Sequence, residues 1–233
     1  LNDGLAIGVG IAALGWALPR LPEAVGSDAT SESVPLRKRV AEALSAWRDP
    51  AALLIGVGAL ANGFAEGGAN DWMAIAAVEG HGLTQAGAAL LYGAFVGGMT
   101  ILRFVGGFIV DRWGRVWAIR VSAASAVLGI GLFVWTTGPL LAVVGCVLWG
   151  AGVSLGFPLA FSAAGDHPNG PARMSMVSTV GYGAFLMGPP LIGFLGQKIG
   201  IMAALSLLLV LLVIAAFVAP AARERAKERV IAS

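Results

Sequence analysis

RFVGGFIVDRWGRVWAIR, residues 103–120, closes one apolar run and opens the next. Within it Gly107, Asp111, Arg112, Gly114 and Arg115 stand in the arrangement G-x-x-x-D-R-x-G-R. The spacing has a mechanical sense. Gly107 allows close packing at a helix end, Gly114 permits a tight turn, and Asp111 can accept from arginines or face the positive N-terminus of a neighbouring helix. An ordinary basic loop accounts for the arginines but not for the aspartate and the two glycines.

The runs on either side set the class. Of 233 residues 58% are hydrophobic and 12% charged, and the mean hydropathy is +0.83, more than a soluble domain of this length needs to fill one core. Apolar runs of about 18 residues or more recur, each able to cross a hydrocarbon layer of about 30 Å as a helix. The expected fold is therefore all-α, a polytopic transmembrane helical bundle embedded in the lipid bilayer. An opening segment at 5–18 is followed by a polar stretch at 19–50. Six spans then come at 51–78, 86–110, 116–135, 139–164, 172–197 and 201–218.

Every second connection is basic: Arg37, Lys38 and Arg39 before the first full span, Arg112, Arg115 and Arg120 after the second, Arg173 after the fourth, and Arg223, Arg225, Lys227 and Arg229 after the last. The positive-inside rule puts these connections and the C-terminus in the cytoplasm, with the chain in a cell inner membrane. The net charge of +2 is thus topological, and no nucleic-acid partner is implied. Within the long connection, LRKRVAEALSAWRD (36–49) sets Leu36, Val40, Leu44 and Trp47 at helical spacing, as in an amphipathic interfacial helix. The pairs Gly63/Gly67, Gly93/Gly97 and Gly152/Gly156 have the small-xxx-small spacing that lets membrane helices approach closely.

Other classes lack their signatures. The single cysteine, Cys146, lies in an apolar run and reads as packing. His81 and His167 have no Cys/His partner at zinc spacing, so neither a metal nor another cofactor is expected. There is no G-x-x-x-x-G-K-[ST] sequence and no Ser/His or Cys/His pair that can be placed together at membrane depth, so the chain does not read as an enzyme or a primary pump.

With these residues in view, the chain resembles the major facilitator superfamily, whose signature cytoplasmic loop, between helices two and three and again between eight and nine, has the form of residues 107–115. GFPLAFSAAG (156–165) and VGYGAFLMGPPLIGFLGQKIG (180–200) resemble helices ten and eleven of a bacterial branch distantly related to fucose permease. E-G-x-x-x-D-W, here Glu66, Gly67, Asp71 and Trp72, resembles that branch's helix seven. The resemblance implies that 1–20 is the end of helix six, 21–50 the central cytoplasmic loop, 51–220 the C-terminal six-helix bundle and 221–233 a basic tail. It implies a secondary active transporter that moves a small polar molecule by alternating access, as symporter or antiporter. Such transporters bind substrate between two halves, so a missing N-terminal six-helix half, in the same or a separate chain, is the implied partner. The start at Leu1 rather than Met suggests a piece of a longer reading frame. The alternative is a non-transporting interaction or scaffold subunit, or a half-transporter working with a separate chain.

The candidate site lies in the first full span. Counted from Pro50, Glu66 lies about 24 Å deep and Asp71 near the outer boundary. Asn62, Glu66 and Asn70, at i+4 intervals, form one polar stripe. A carboxylate at that depth must be neutralised, paired or hydrated, so Glu66 is either a proton-coupling or substrate-binding group or a structural one satisfied by neighbouring helices. Arg103, about 12 Å from the cytoplasmic side, is the other deep charge. Its depth differs from that of Glu66 by about 12 Å, which disfavours a direct pair. It stands to bind an anionic group or to latch the two halves. Tyr182 is a better cavity-lining candidate than Tyr92. Asn62, Phe161 and Ser162 are further substrate candidates, and Asp71 and Trp72 mark the outer mouth. Gly188, Pro189 and Pro190 interrupt the fifth full span as a candidate hinge.

Overall fold

A computed structural model describes residues 36–167 and 169–223. The segment 5–18 and the tail beyond Arg223 lie outside the described residues. The helices described are α1 (Leu36–Ala46), α2 (Pro50–His81), α3 (Gln85–Trp113), α4 (Arg115–Trp135), α5 (Pro139–Val153), α6 (Gly156–Gly165), α7 (Gly170–Ile199) and α8 (Ile201–Val218), the last followed by a 3₁₀ turn at Ala219–Ala222. Among the described residues, six spans are long and apolar enough to cross a membrane, α5 and α6 together making the fourth, Pro139–Gly165.

Capping chemistry explains the boundaries. Asp49 accepts from the Ala51 and Ala52 amides at 2.9 and 3.3 Å, and Pro50 occupies the first turn, where a missing N–H is harmless. Thr84 caps α3 through the Gly87 amide. Gly114 joins α3 to α4 in a single residue at φ 80°, a conformation that disfavours any side chain.

α2 packs most extensively on α7 and also meets α8 and α3, while α5 lies against α3 and α4. The α2–α7 seam depends on small residues. A Cβ at Gly63 would sit 2.7 Å from the Gly181 carbonyl oxygen, and one at Gly67 3.2 Å from that of Phe185. Gly93 and Gly97, by contrast, face open space. The close approach of α3 to α5 is made by Gly98, whose missing side chain admits the Val147 backbone. Spacing alone picked the wrong pair on α3 because its period does not tell which face meets a neighbour.

The fifth full span corrects an expectation. α7 runs unbroken from Gly170 through Pro189 and Pro190 to Ile199. The prolines leave the carbonyls of Phe185 and Leu186 without their helical donors, but Gly67 lets α2 approach there, and Trp72 Nε1–H donates to the Pro189 carbonyl at 2.8 Å. Packed neighbours of this kind let membrane helices carry proline. The break falls in the fourth span instead, at Ser154 and Leu155. There the Ser154 hydroxyl and amide both go to the Ala151 carbonyl, at 2.7 and 3.3 Å, which tightens the last turn of α5. Pro158 has no N–H to return to the Ser154 carbonyl.

The core has two main parts. Met73, Phe95, Phe133, Trp149, Leu205 and Leu208 anchor one, and Ile55, Ala59, Ala160, Met176 and Val177 the other. On α2 they meet at the polar stripe. Outside, Leu90, Ile101, Phe104, Phe108, Leu140 and Phe217 are exposed, an apolar exterior suited to lipid. Exposed Trp113 and Trp117 lie at the Gly114 end of the bundle and exposed Trp135 at the opposite end, where interfacial aromatic residues are expected.

Candidate functional site

α2 carries the stripe on one face: Asn62 is buried, Glu66 half-buried and Asn70 exposed. Arg103 on α3 reaches Glu66, with Nη2 3.5 Å from Oε1. The sequence count disfavoured this pair because it measured each residue from its own helix end. Measured from the shared connection at 82–84, Glu66 lies fifteen residues before His81 and Arg103 eighteen after Gln85. The depths then differ by only about 4.5 Å, within an arginine's reach.

Arg103 has a second attachment. Its Nε donates to the Ser154 carbonyl at 3.4 Å, the acceptor that Pro158 left without a helical donor. One guanidinium therefore ties the stripe's carboxylate to the broken span. The Arg103 side chain is still 51% exposed. One turn along from Glu66, the Tyr92 hydroxyl donates to Asn70 Oδ1 at 3.0 Å. On the other side Asn62 Nδ2 donates to the Gly58 carbonyl at 2.9 Å, and its amide lies directly against Gly156 at the start of α6.

Past the break the surface becomes aromatic. Phe157 stacks on Tyr182 and on Phe161, each with ring centroids 6.1 Å apart, and Gly181 makes room for the Phe157 ring. Tyr182 is 66% exposed. Phe157 and Tyr92 are the members that sequence reading left out or ranked low. The signal for Phe157 was its place just before Pro158; the break itself lies at Ser154 and Leu155, and Phe157 stands in the first turn of α6.

The Gly114 end is held by two other pairs. Arg115, nearly fully buried, donates to Asp166 Oδ2 at 2.7 Å, Ser162 Oγ at 2.9 Å and the Ala222 carbonyl at 3.3 Å. Arg173 pairs with Asp49, the residue that caps α2. These contacts join the starts of α2, α4 and α7 to the end of α6 and the 3₁₀ turn.

A family model for the Major Facilitator Superfamily matches residues 4–173. The chain belongs to that superfamily. It is 39% identical over 146 residues to an uncharacterised transporter, y4wD, of Sinorhizobium fredii, covering 62% of this chain and 39% of that protein. It is 33% identical over 135 residues to an uncharacterised superfamily transporter of Yersinia pestis, covering 57% of this chain and 35% of that one. The chain thus spans well under half the length of these curated relatives. Its fold is similar to that of the crystal structure of the E. coli fucose:proton symporter FucP, with a TM-score of 0.70 and 17% identity over 78% of this chain and 45% of that one. The chain is a multi-pass membrane protein of this superfamily.

Within the superfamily's turn motif the structure redistributes the work. Gly114 makes the turn, and Arg115 carries the interior contacts. Asp111 and Arg112 are exposed, and Gly107 faces open space, whereas its neighbour Gly106 packs against the Leu155 side chain. Among the other candidates, Ser162 accepts from Arg115 and so sits with the Gly114-end contacts, apart from Glu66. Trp72 is half-buried, locked to α7 through Pro189 with its ring over Gly193. Asp71 beside it is exposed. Gly188 and Pro189 are buried and Pro190 exposed, all within continuous helix.

Proposed function

We propose that this chain forms the C-terminal six-helix half of a secondary active transporter in a cell inner membrane, with its C-terminus cytoplasmic. The complete protein would move a small polar molecule by alternating access, coupled to an ion gradient. The observation that carries the reading is the Glu66–Arg103 pair. It lies at depth and is long at 3.5 Å, half of the arginine is exposed, and the same guanidinium holds the carbonyl of a broken span. Ionisable groups inside a membrane protein are costly unless paired or used. A pair of this looseness is open to competition: a proton on Glu66 or an anionic group on a substrate would each release Arg103. Discontinuous spans of this kind supply backbone groups to substrate and ion sites in transporters. Asn70, Tyr92, Phe157 and Tyr182 would then face the transported molecule, and a second six-helix half would complete the cavity. The likeness to a protein described as a fucose:proton symporter supports a proton as the coupling ion.

The test is flux by the complete protein in proteoliposomes, across a panel of small polar compounds, with and without a proton gradient. We expect gradient-driven movement of at least one compound, and loss of that coupling in Glu66→Gln. Flux in Glu66→Gln with unchanged pH dependence would remove Glu66 from the mechanism. A second reading is a half-transporter or interaction subunit that works with a separate chain. Stoichiometric co-purification of a second six-helix chain would favour it.

A further inference from the structure

A partly enclosed cavity with about 30 Å³ of room for water lies between α2, α4, the α5–α6 break and the end of α8. Its walls are apolar, with Ile55, Ile119 and Leu155 among them, except for Asn62 and Ser122. Both polar residues are more than nine-tenths buried, with 8% and 7% of their surface exposed.

Both also carry hydrogen-bonding capacity that the described residues do not use. Thr100, Ser178, Thr179 and Ser206 each turn the hydroxyl back onto the carbonyl four residues earlier, the usual way a helix satisfies such a group. Ser122 makes no such bond, and no other partner for its hydroxyl occurs among the described residues. Asn62 uses its amide N–H on the Gly58 carbonyl, while its Oδ1 accepts from no donor among the described residues. Leaving a buried polar group unsatisfied costs about 1–3 kcal/mol, and two around one cavity call for a common partner. A water needs about 10–15 Å³ of such room and two or more polar contacts. The cavity meets both conditions. A metal ion is disfavoured, because both groups are neutral and the rest of the lining is hydrocarbon.

We infer that this cavity is an internal water site, in which one or two waters donate to Asn62 Oδ1 and exchange hydrogen bonds with the Ser122 hydroxyl, bridging α2 to α4. Asn62 stands one helical turn from Glu66 on the same face, and the lining continues to Ala219 and Ala222 at the Gly114 end. The water therefore gives the stripe a polar contact on the side facing that end. The site stands on packing and hydrogen bonding alone; its service to Glu66 rests on the transport reading above.

The test is X-ray radiolytic hydroxyl labelling of the complete protein in nanodiscs, read residue by residue by mass spectrometry. Radicals form from water in place, so buried side chains beside a trapped water are oxidised and those in dry core are not. Ile55 and Leu155, 5% and 6% exposed, should be labelled clearly above Ile192 and Leu208 in the other part of the core. In Asn62→Leu/Ser122→Ala the excess should be lost while Ile192 and Leu208 stay as they were. Ser122→Ala alone serves if the double variant does not fold. Equal labelling of the two sets in the unmodified protein would overturn the site, whatever the protein transports. Excess labelling that survives both substitutions would overturn the assignment to Asn62 and Ser122.

Discussion

The ion pair in the middle of the bundle and those at its Gly114 end use the same chemistry in different settings. Arg115 and Arg173 are each 6% exposed at the side chain and held close against a carboxylate. Arg103 is half exposed, 3.5 Å from Glu66, and shares itself with a carbonyl. A buried guanidinium that loses its carboxylate is stranded in a poor solvent, so the first kind acts as a fastener. A half-exposed one can be rehydrated, and such pairs contribute little to stability. The difference separates residues that hold the bundle from one that, on the proposed reading, is poised to let go.

That separation can be broken experimentally. The largest expected effect is in Asp49→Ala, which removes the α2 cap together with a carboxylate that pairs with Arg173: about 1 kcal/mol for the cap and about 3 kcal/mol for breaking the buried pair. It should show as a steep drop in the thermal midpoint of the purified complete protein. Asp166→Ala should follow at about 3 kcal/mol or less, because Ser162 and the Ala222 carbonyl still receive Arg115. Trp72→Phe loses the bond to the Pro189 carbonyl together with the far edge of the indole that covers Gly193. About 1 kcal/mol is expected, with looser protection of the α7 amides around 185–193 in hydrogen exchange. Glu66→Gln should change the midpoint least, by under about 1 kcal/mol. If it destabilised as much as Asp166→Ala, Glu66 would be a fastener and the contrast would fail.

The middle and the end of the bundle also differed in how legible they were. The end was announced by residue types: a glycine suited to a tight turn and arginines at alternate connections. These are local requirements, and they surfaced as Gly114 and the span boundaries, whereas the Asp49 cap at the start of α2 was found only in the structure. The partners of Arg115 and Arg173 were not announced, since Asp166 and Asp49 are remote in sequence and acquire meaning only when the helices pack. In the middle, the i+4 stripe of Asn62, Glu66 and Asn70 followed from helical period alone. What each member touches did not: one meets a cavity, one an arginine, one a tyrosine. Pro189–Pro190 read as the break because proline removes a donor. Yet the helix that parts is the one with Pro158, at Ser154 and Leu155 just ahead of it, where Ser154 competes for the Ala151 carbonyl, and α7 stays whole against neighbouring α2.

By itself, then, the sequence determined that six apolar stretches must be helices in lipid, because hydrocarbon leaves a backbone no other way to satisfy its polar groups. It also determined where those helices begin and turn, because a tight-turn glycine and a basic connection are properties of a few adjacent residues. Only the tertiary structure decided which face of each helix meets which, whether Arg103 reaches Glu66, and which of two proline sites breaks. Those outcomes depend on stagger and close approach between segments far apart in the chain, and no period or local propensity encodes them.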